Sequence, residues 1–268
     1  MFLFALSTLS VEAQVRAEDT KLGPTPGLQF KLEGMMSSFE WGQGEAEKEE
    51  LQFNTEFTFN RHVLAGARLR GGTVRTEEQE GQGYTASVLA KALLYRTSWG
   101  GGVGEISISA ETDVAVQQAE ILADPIVNEE LQFGAVGATK VTLALYGAYG
   151  PRTRLISGEA ELKPGLPGHL FRVNYGEGWY LLPYQTSRRQ VIAGVEASIE
   201  GRLPAKDECG CKVVETGGFG VMITPTLRFV LSPRMSISTA MTLPVVERYG
   251  ARELRETRSF QVGLKIVL

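Results

Sequence analysis

The sequence predicts an all-β chain, an up-and-down antiparallel transmembrane β-barrel of about 12 strands, each spanning a bilayer. Three observations predict it. Apolar and polar residues alternate with a period of two along most of the chain. The alternating segments run for about 10–19 residues, where strands of soluble proteins average about five or six. With one exception, the short turn around Lys163 to Gly168, the connections alternate between short and long, as membrane barrels sort their turns from their loops.

The first strand is expected at 28–38. The second, 51–60, shows the pattern in full: Leu51, Phe53, Thr55, Phe57 and Phe59 share one face, and Gln52, Asn54, Glu56, Thr58 and Asn60 the other. Asn60-Arg61 forms a tight turn into 62–72. Strand 84–97 carries a VLAKALLY core that also suits a turn of helix. After the turn Ser98 to Gly101, strand 102–115 sets Ile106, Ile108, Ala110 and Val114 against Glu105, Ser107, Ser109, Glu111 and Asp113. A spacer at 116–130 holds a short helix-like piece ending near Pro125, and strand 131–149 follows. The turn Gly150-Pro151-Arg152 leads to strand 153–163, and strand 168–180 is interrupted by Gly176 and Gly178. Strand 188–203 alternates Val191, Ala193, Val195, Ala197 and Ile199 with Gln190, Glu196, Ser198 and Glu200. Strands 217–231, 235–246 and 257–268 complete the set, the last with Phe260, Val262, Leu264, Ile266 and Leu268 on one face. The connections at 39–50, 73–83, 116–130, 203–215 and 246–256 are expected to be the long, charged ones. Trp41, Tyr84, Trp99, Tyr149 and Trp179 fall near strand ends, where an interfacial girdle would place them.

Composition narrows the function classes. The 268 residues are 43% hydrophobic and 22% charged, the balance of a folded protein. A net charge of −4 lacks the basic footprint of a nucleic-acid binder, so no nucleic-acid partner is expected. No run of about 18 uncharged apolar residues could form a membrane helix, and a barrel needs none. The 31 glycines exceed the usual share of about 7% and favour strands and turns. Residues 1–17 read as an export signal, with the apolar stretch Met1 to Val11 and small-residue cleavage sites at Val11-Glu12-Ala13 and Val15-Arg16-Ala17. The alternative is an N-terminal strand or buried segment, since the usual basic start is missing. No repeat or domain boundary interrupts 18–268, which is read as a single barrel domain.

The block Leu231-Ser232-Pro233-Arg234-Met235-Ser236-Ile237-Ser238, then Met241 to Arg248, then Ser259 to Leu268, resembles the closing hairpin of bacterial outer-membrane β-barrel proteins. Within that class it is similar to transporters associated with meta-pathway phenol degradation. The detailed likeness covers about the last 40 residues. The resemblance implies an integral outer-membrane protein of a Gram-negative bacterium, assembled from the periplasm by the barrel-assembly machinery, with outer-membrane lipid around it and a small solute as cargo.

If the strand registers are right, the polar faces line the lumen. The inward candidates are Lys31, Glu33, Glu56, Arg68, Arg70, Lys91, Glu105, Glu111, Asp113, Lys140, Glu159, Glu161, Lys163, Arg172, Glu196, Arg228 and Lys265. Both signs are present, so facing acidic and basic walls would set up a transverse field able to orient a dipolar solute. The plain alternative is a charge-paired interior that only satisfies the polar face of a barrel. A channel or transporter for a small solute is the favoured function. The alternative is a structural barrel whose long acidic external loops bind an envelope or surface partner.

Catalytic and cofactor signals are thin. His62 and His169 fall at opposite ends of the barrel, and no adjacent nucleophile–base pair is visible. Glu159 and Glu161 share a strand face, but alternation alone produces such pairs. The glycines at 100–102 are not followed by a helix and cannot cradle phosphate. No enzymatic activity and no cofactor are expected. Cys209 and Cys211, the only cysteines, flank Gly210 in an expected external loop. They suit a local disulfide in an oxidising envelope, or else a soft-metal or redox site, for which no further ligands are in view.

Overall fold

The computed structural model describes residues 27–41, 44–60, 62–77, 79–99, 102–118, 131, 133–163, 169–181, 190–205, 211–213, 216–232, 234–250 and 255–268. The expected signal segment 1–17 lies outside the described residues. Twelve antiparallel strands close into one barrel: β1 (Gly27–Trp41), β2 (Gly44–Asn60), β3 (Val63–Thr76), β4 (Glu80–Trp99), β5 (Gly102–Gln118), β6 (Thr139–Tyr149), β7 (Arg152–Leu162), β8 (Leu170–Tyr180), β9 (Gln190–Arg202), β10 (Gly218–Ser232), β11 (Met235–Tyr249) and β12 (Arg255–Val267). Each strand pairs with its sequence neighbours, and β1 closes on β12 from Gln29↔Val267 to Glu40↔Arg255. Closure pairs every strand on both sides and leaves no edge to aggregate.

The period of two sets which way each residue faces. Along β2, Gln52, Asn54 and Glu56 are buried, while Leu51 is 58% exposed and Phe57 42%. The same inversion runs round the barrel, with Leu69, Leu143, Val173, Ile199, Val245 and Phe260 all exposed on the outer face. A soluble monomer rarely exposes a contiguous apolar patch beyond a few hundred Å². An apolar outside around a polar inside, with every backbone group paired in a closed ladder, is the arrangement a bilayer requires. From Leu51 to Phe59 the belt spans roughly 20 Å of height for a strand tilted by about 40°.

Several strands run further than alternation of apolar residues suggested. The expected loop 39–50 is mostly strand, with Trp41 paired to Gly44, and the expected loop 73–83 shrinks to residues 77–79. Here Glu45, Glu47 and Glu49 face out and Ala46, Lys48 and Glu50 face in, so the strand continues beyond the apolar belt with a charged outer face. Arg75 stands 3.3 Å from both Glu49 and Glu80 on that outer face. The connections at this end are 42–43, 77–79, 119–138, 163–169, 203–217 and 250–254; those at the other are 61–62, 100–101, 150–151, 181–189 and 233–234. The strict short-and-long sorting expected from the sequence therefore softens, while the polarity of the barrel holds.

The largest departure is at 131–138, which the sequence reads as the start of β6. This stretch instead turns inside the barrel. Leu131 and Phe133 are buried against Phe39, Ala46 and Val74, apolar side chains that β1–β3 point inward near this end. Gly137 takes φ 82°, a left-handed backbone that glycine adopts without strain, and donates its N–H to the Asp113 carbonyl at 2.8 Å. At Gly134 a Cβ would collide with the Asp113 carboxylate and crowd Thr85. The chain can lie this close to the wall only because glycine is there.

Candidate functional site

The site is the inner wall. Lys31, Glu33, Glu56, Arg70, Glu111, Asp113, Glu159, Glu161, Arg172, Glu196, Arg228 and Lys265 are buried within the barrel. Arg68, Lys91, Glu105, Lys140 and Lys163 are half-buried. Among the described residues further charged side chains join them, including Lys48, Glu50, Glu200 and Arg202, and Arg96, which pairs with Glu105 at 3.3 Å. For Lys48 and Glu50 a signal was present, because 46, 48 and 50 continue the inward parity of 52, 54 and 56 through a stretch whose charge made it look like loop.

One arc of the wall is tightly connected. Arg68 donates from Nε to Asn54 Oδ1 at 2.7 Å and from Nη1 to both Glu111 oxygens at 2.8 and 2.6 Å. Lys140 approaches the same carboxylate at 3.6 Å. Asn54 in turn donates to Glu33 Oε2 at 3.3 Å. Glu33 also accepts from Gln52 at 3.1 Å and Gln261 at 2.6 Å, and pairs with Lys31 at 2.9 Å. One polar network thus reaches from β6 through β5, β3, β2 and β1 to β12. Beside it Arg70 donates to Asp113 at 2.7 Å and to Ser87 at 3.3 Å. A bulge between Ala86 and Ser87 sets Ser87 opposite Asp113, and so makes that contact available. Both arginines reach past β4 to β5 along a chord of the interior, which only side chains on the concave face can do. Lys48 Nζ lies 4.2 Å above the Phe133 ring, tying the inward-folded stretch to the charged wall.

The opposite arc, β7–β11, is organised differently. Arg172 donates to Glu200, which also accepts from Arg202 at 2.8 Å and Tyr249 at 3.4 Å. Arg228 donates to Ser236 at 2.7 Å, and the Thr224 and Thr242 hydroxyls meet at 3.1 Å. Glu159 sits in register between Thr142 and Arg172. Neither of its buried oxygens has a hydrogen-bond partner among the described residues. Below it run Ser157, Asn174 and Ser198, and then Glu196. Ala144, Tyr146 and Leu155 form an apolar cluster nearer the short-turn end.

His62 and His169 are exposed at opposite ends, beside β3 and β8. Cys211 is exposed beyond β9, and Cys209 lies outside the described residues. Among the described residues, no group of three or more His, Cys, Asp or Glu side chains is arranged to hold a metal ion.

No model of a known protein family and no curated protein matches the sequence. Solved structures do match the fold. An outer-membrane channel from Pseudomonas putida F1 aligns with a TM-score of 0.62 at 9% identity, covering 91% of this chain and 96% of that one. The β domain of the Bordetella autotransporter BrkA aligns with a TM-score of 0.52 at 11% identity, covering 91% of this chain and all of that one (100%). At such identities the likeness is one of fold. Together with the apolar belt it makes this chain a transmembrane barrel of the outer-membrane kind.

Proposed function

We propose that this protein is an outer-membrane channel that passes a small solute through a polar, mixed-charge interior. The observation that carries the reading is the buried charge on the inner wall. An anchor needs only the lipid-facing surface, and could fill its inside with apolar side chains at less cost than with ion pairs. Here Glu33, Lys48, Arg172, Glu196, Glu200 and Arg228 are each exposed by 2% or less. In this reading the path between these side chains is narrow, so small solutes fit it and large ones do not. The Pseudomonas putida relative in fold is itself described as a channel. The resemblance of the closing hairpin to phenol-pathway transporters points toward a small organic solute. In this reading residues 1–17 direct export, the barrel-assembly machinery inserts 18–268 as one domain, and the end bearing 119–138 and 203–217 faces outward.

A second reading is favoured by the acidic collar of Glu45, Glu47, Glu49 and Glu80, which stands above the belt and could meet an envelope partner. Proteoliposome swelling separates the two. The channel reading expects uptake that falls steeply with solute size. A folded barrel that admits no solute of any size would replace it with the anchor reading.

A further inference from the structure

We propose that the outer face of β6–β8, at the short-turn end of the barrel, carries a subsite for the headgroup of a zwitterionic phospholipid, a phosphodiester joined to a primary ammonium. The outward residues of this arc stand in three rows across neighbouring strands. Nearest the turn, Tyr149 is in register with Arg152, and Arg152 with Trp179. One step toward the belt, Gly147 stands beside Arg154, and Arg154 beside Glu177. The third row is Leu145, Ile156 and Tyr175, exposed members of the apolar belt. Arg152 and Arg154 share the outward parity of Ile156, and both are exposed. The row of Arg154 and Glu177 therefore lies roughly 7 Å along the strand from the belt. Tyr149 and Trp179 beyond it mark the level at which acyl chains give way to headgroups.

The polar groups here complement both ends of one headgroup. Glu177 Oε1 accepts from the Tyr175 hydroxyl at 2.5 Å and from Arg154 Nε at 2.8 Å. Both bonds go to the same oxygen, and Oε2 takes part in no hydrogen bond among the described residues. That oxygen is left to accept from an ammonium. Arg154 holds Glu177 through Nε, which leaves its Nη donors for a phosphate oxygen. Arg152, two residues back on the same face, supplies a second guanidinium, and its register partners Tyr149 and Trp179 are uncharged. Beside Arg154, Gly147 and its β5 partner Gly104 bring no side chain. A Cβ on Gly147 would meet only the Val103 carbonyl, at 4.0 Å. A shallow notch thus opens between Tyr149 and Leu145, through which a phosphate reaches the guanidinium unobstructed. Leu145 and Ile156 continue from it as a track for an acyl chain. In the orientation given above, on which the proposal rests, this end lies in the inner, phospholipid leaflet of the outer membrane; an open lumen is not needed.

The test is lipid binding to the purified full chain, read by native mass spectrometry from detergent, with phosphatidylethanolamine, phosphatidylcholine and phosphatidylglycerol of identical acyl chains. The choline lipid keeps the phosphate and the positive charge, but its trimethylated nitrogen donates no hydrogen bond, so it isolates the Glu177 contact. The ethanolamine lipid is expected to bind about tenfold more tightly than either of the others, the effect of one hydrogen bond to a charged group. Glu177→Gln should bring it down to the level of the choline lipid. Arg152→Gln, which removes a phosphate donor, and Gly147→Leu, which fills the notch, should weaken the ethanolamine and choline lipids alike. Heat-modifiable gel mobility verifies that every variant is folded. Equal binding of the ethanolamine and choline lipids by the wild type overturns the subsite, as does tighter binding of the glycerol lipid or a preference unchanged in Glu177→Gln. Conduction is measured separately: a barrel that keeps the preference but passes no current loses the channel reading alone, and one that conducts without the preference loses only the subsite.

Discussion

Arg68 is held from two sides, by Asn54 on β2 and by Glu111 on β5, and Glu111 is shared with Lys140. Removing one member of such a pair leaves the other as an uncompensated buried charge, at a cost of about 3–5 kcal/mol. Arg68→Ala and Glu111→Ala are each expected to lower barrel stability in urea by that amount. The double variant Arg68→Met/Glu111→Met should lose much less than the sum, because an apolar pair of similar size replaces both charges; additive losses would mean the pair is not formed. At this scale the sequence was partly legible. Alternation alone gives the inward parity of Lys31, Glu56, Arg68 and Glu196. It does not give partners: Arg68 meets Glu111 two strands away, 43 positions on in sequence, through a register and a bulge that no local pattern encodes. Lys48 and Glu50 were hidden for a different reason, since a strand that rises out of the bilayer trades its outward apolar residues for Glu45, Glu47 and Glu49 and then looks like loop.

That exchange makes a prediction about β2 as an element. On the purified barrel, Glu47→Cys should react with a membrane-impermeant maleimide within minutes, whereas Lys48→Cys should be protected, because Glu47 faces out and Lys48 is 1% exposed. Equal reactivity would show 42–50 to be a loop after all. The apolar belt predicts a contrast of position. Leu143→Arg, 48% exposed on the lipid face of β6, should cost about 2–4 kcal/mol if it sits near the midplane. Glu45→Arg in the collar should cost about 0–1 kcal/mol; both are read from urea unfolding in lipid vesicles. The stretch 131–138 shows where element-level reading runs out. Leu131 and Phe133 alternate like strand residues, yet they fill the apolar patch of Phe39, Ala46 and Val74 inside the barrel. Gly134→Val is expected to displace this stretch, because its side chain has no room beside Asp113 and Thr85, and to raise tryptic cleavage at Lys140. Unchanged cleavage would show that the stretch is not held against the wall.

At the scale of the molecule, strand number, direction and closure were readable in the sequence, because a bilayer outside and polar groups inside impose the same alternation on every strand. The interior was readable only as a list of residues. What the folded barrel adds is their contacts: one arc, running from β6 round to β12, joined through Glu111, Arg68, Asn54 and Glu33, and another on β7–β9 that sets Glu159, Glu161 and Glu196 in one wall with Arg172, Glu200 and Arg202. Net charge and composition average over both and could not separate them. The most direct test of the account is the single-channel current of the purified barrel in planar bilayers, for the wild type and for Glu159→Arg. We expect discrete current steps in the wild type, and a shift of the reversal potential toward anions in the variant under a salt gradient. A barrel that shows heat-modifiable mobility yet gives no steps would contradict it, as would steps whose ion preference is indifferent to the charge at position 159.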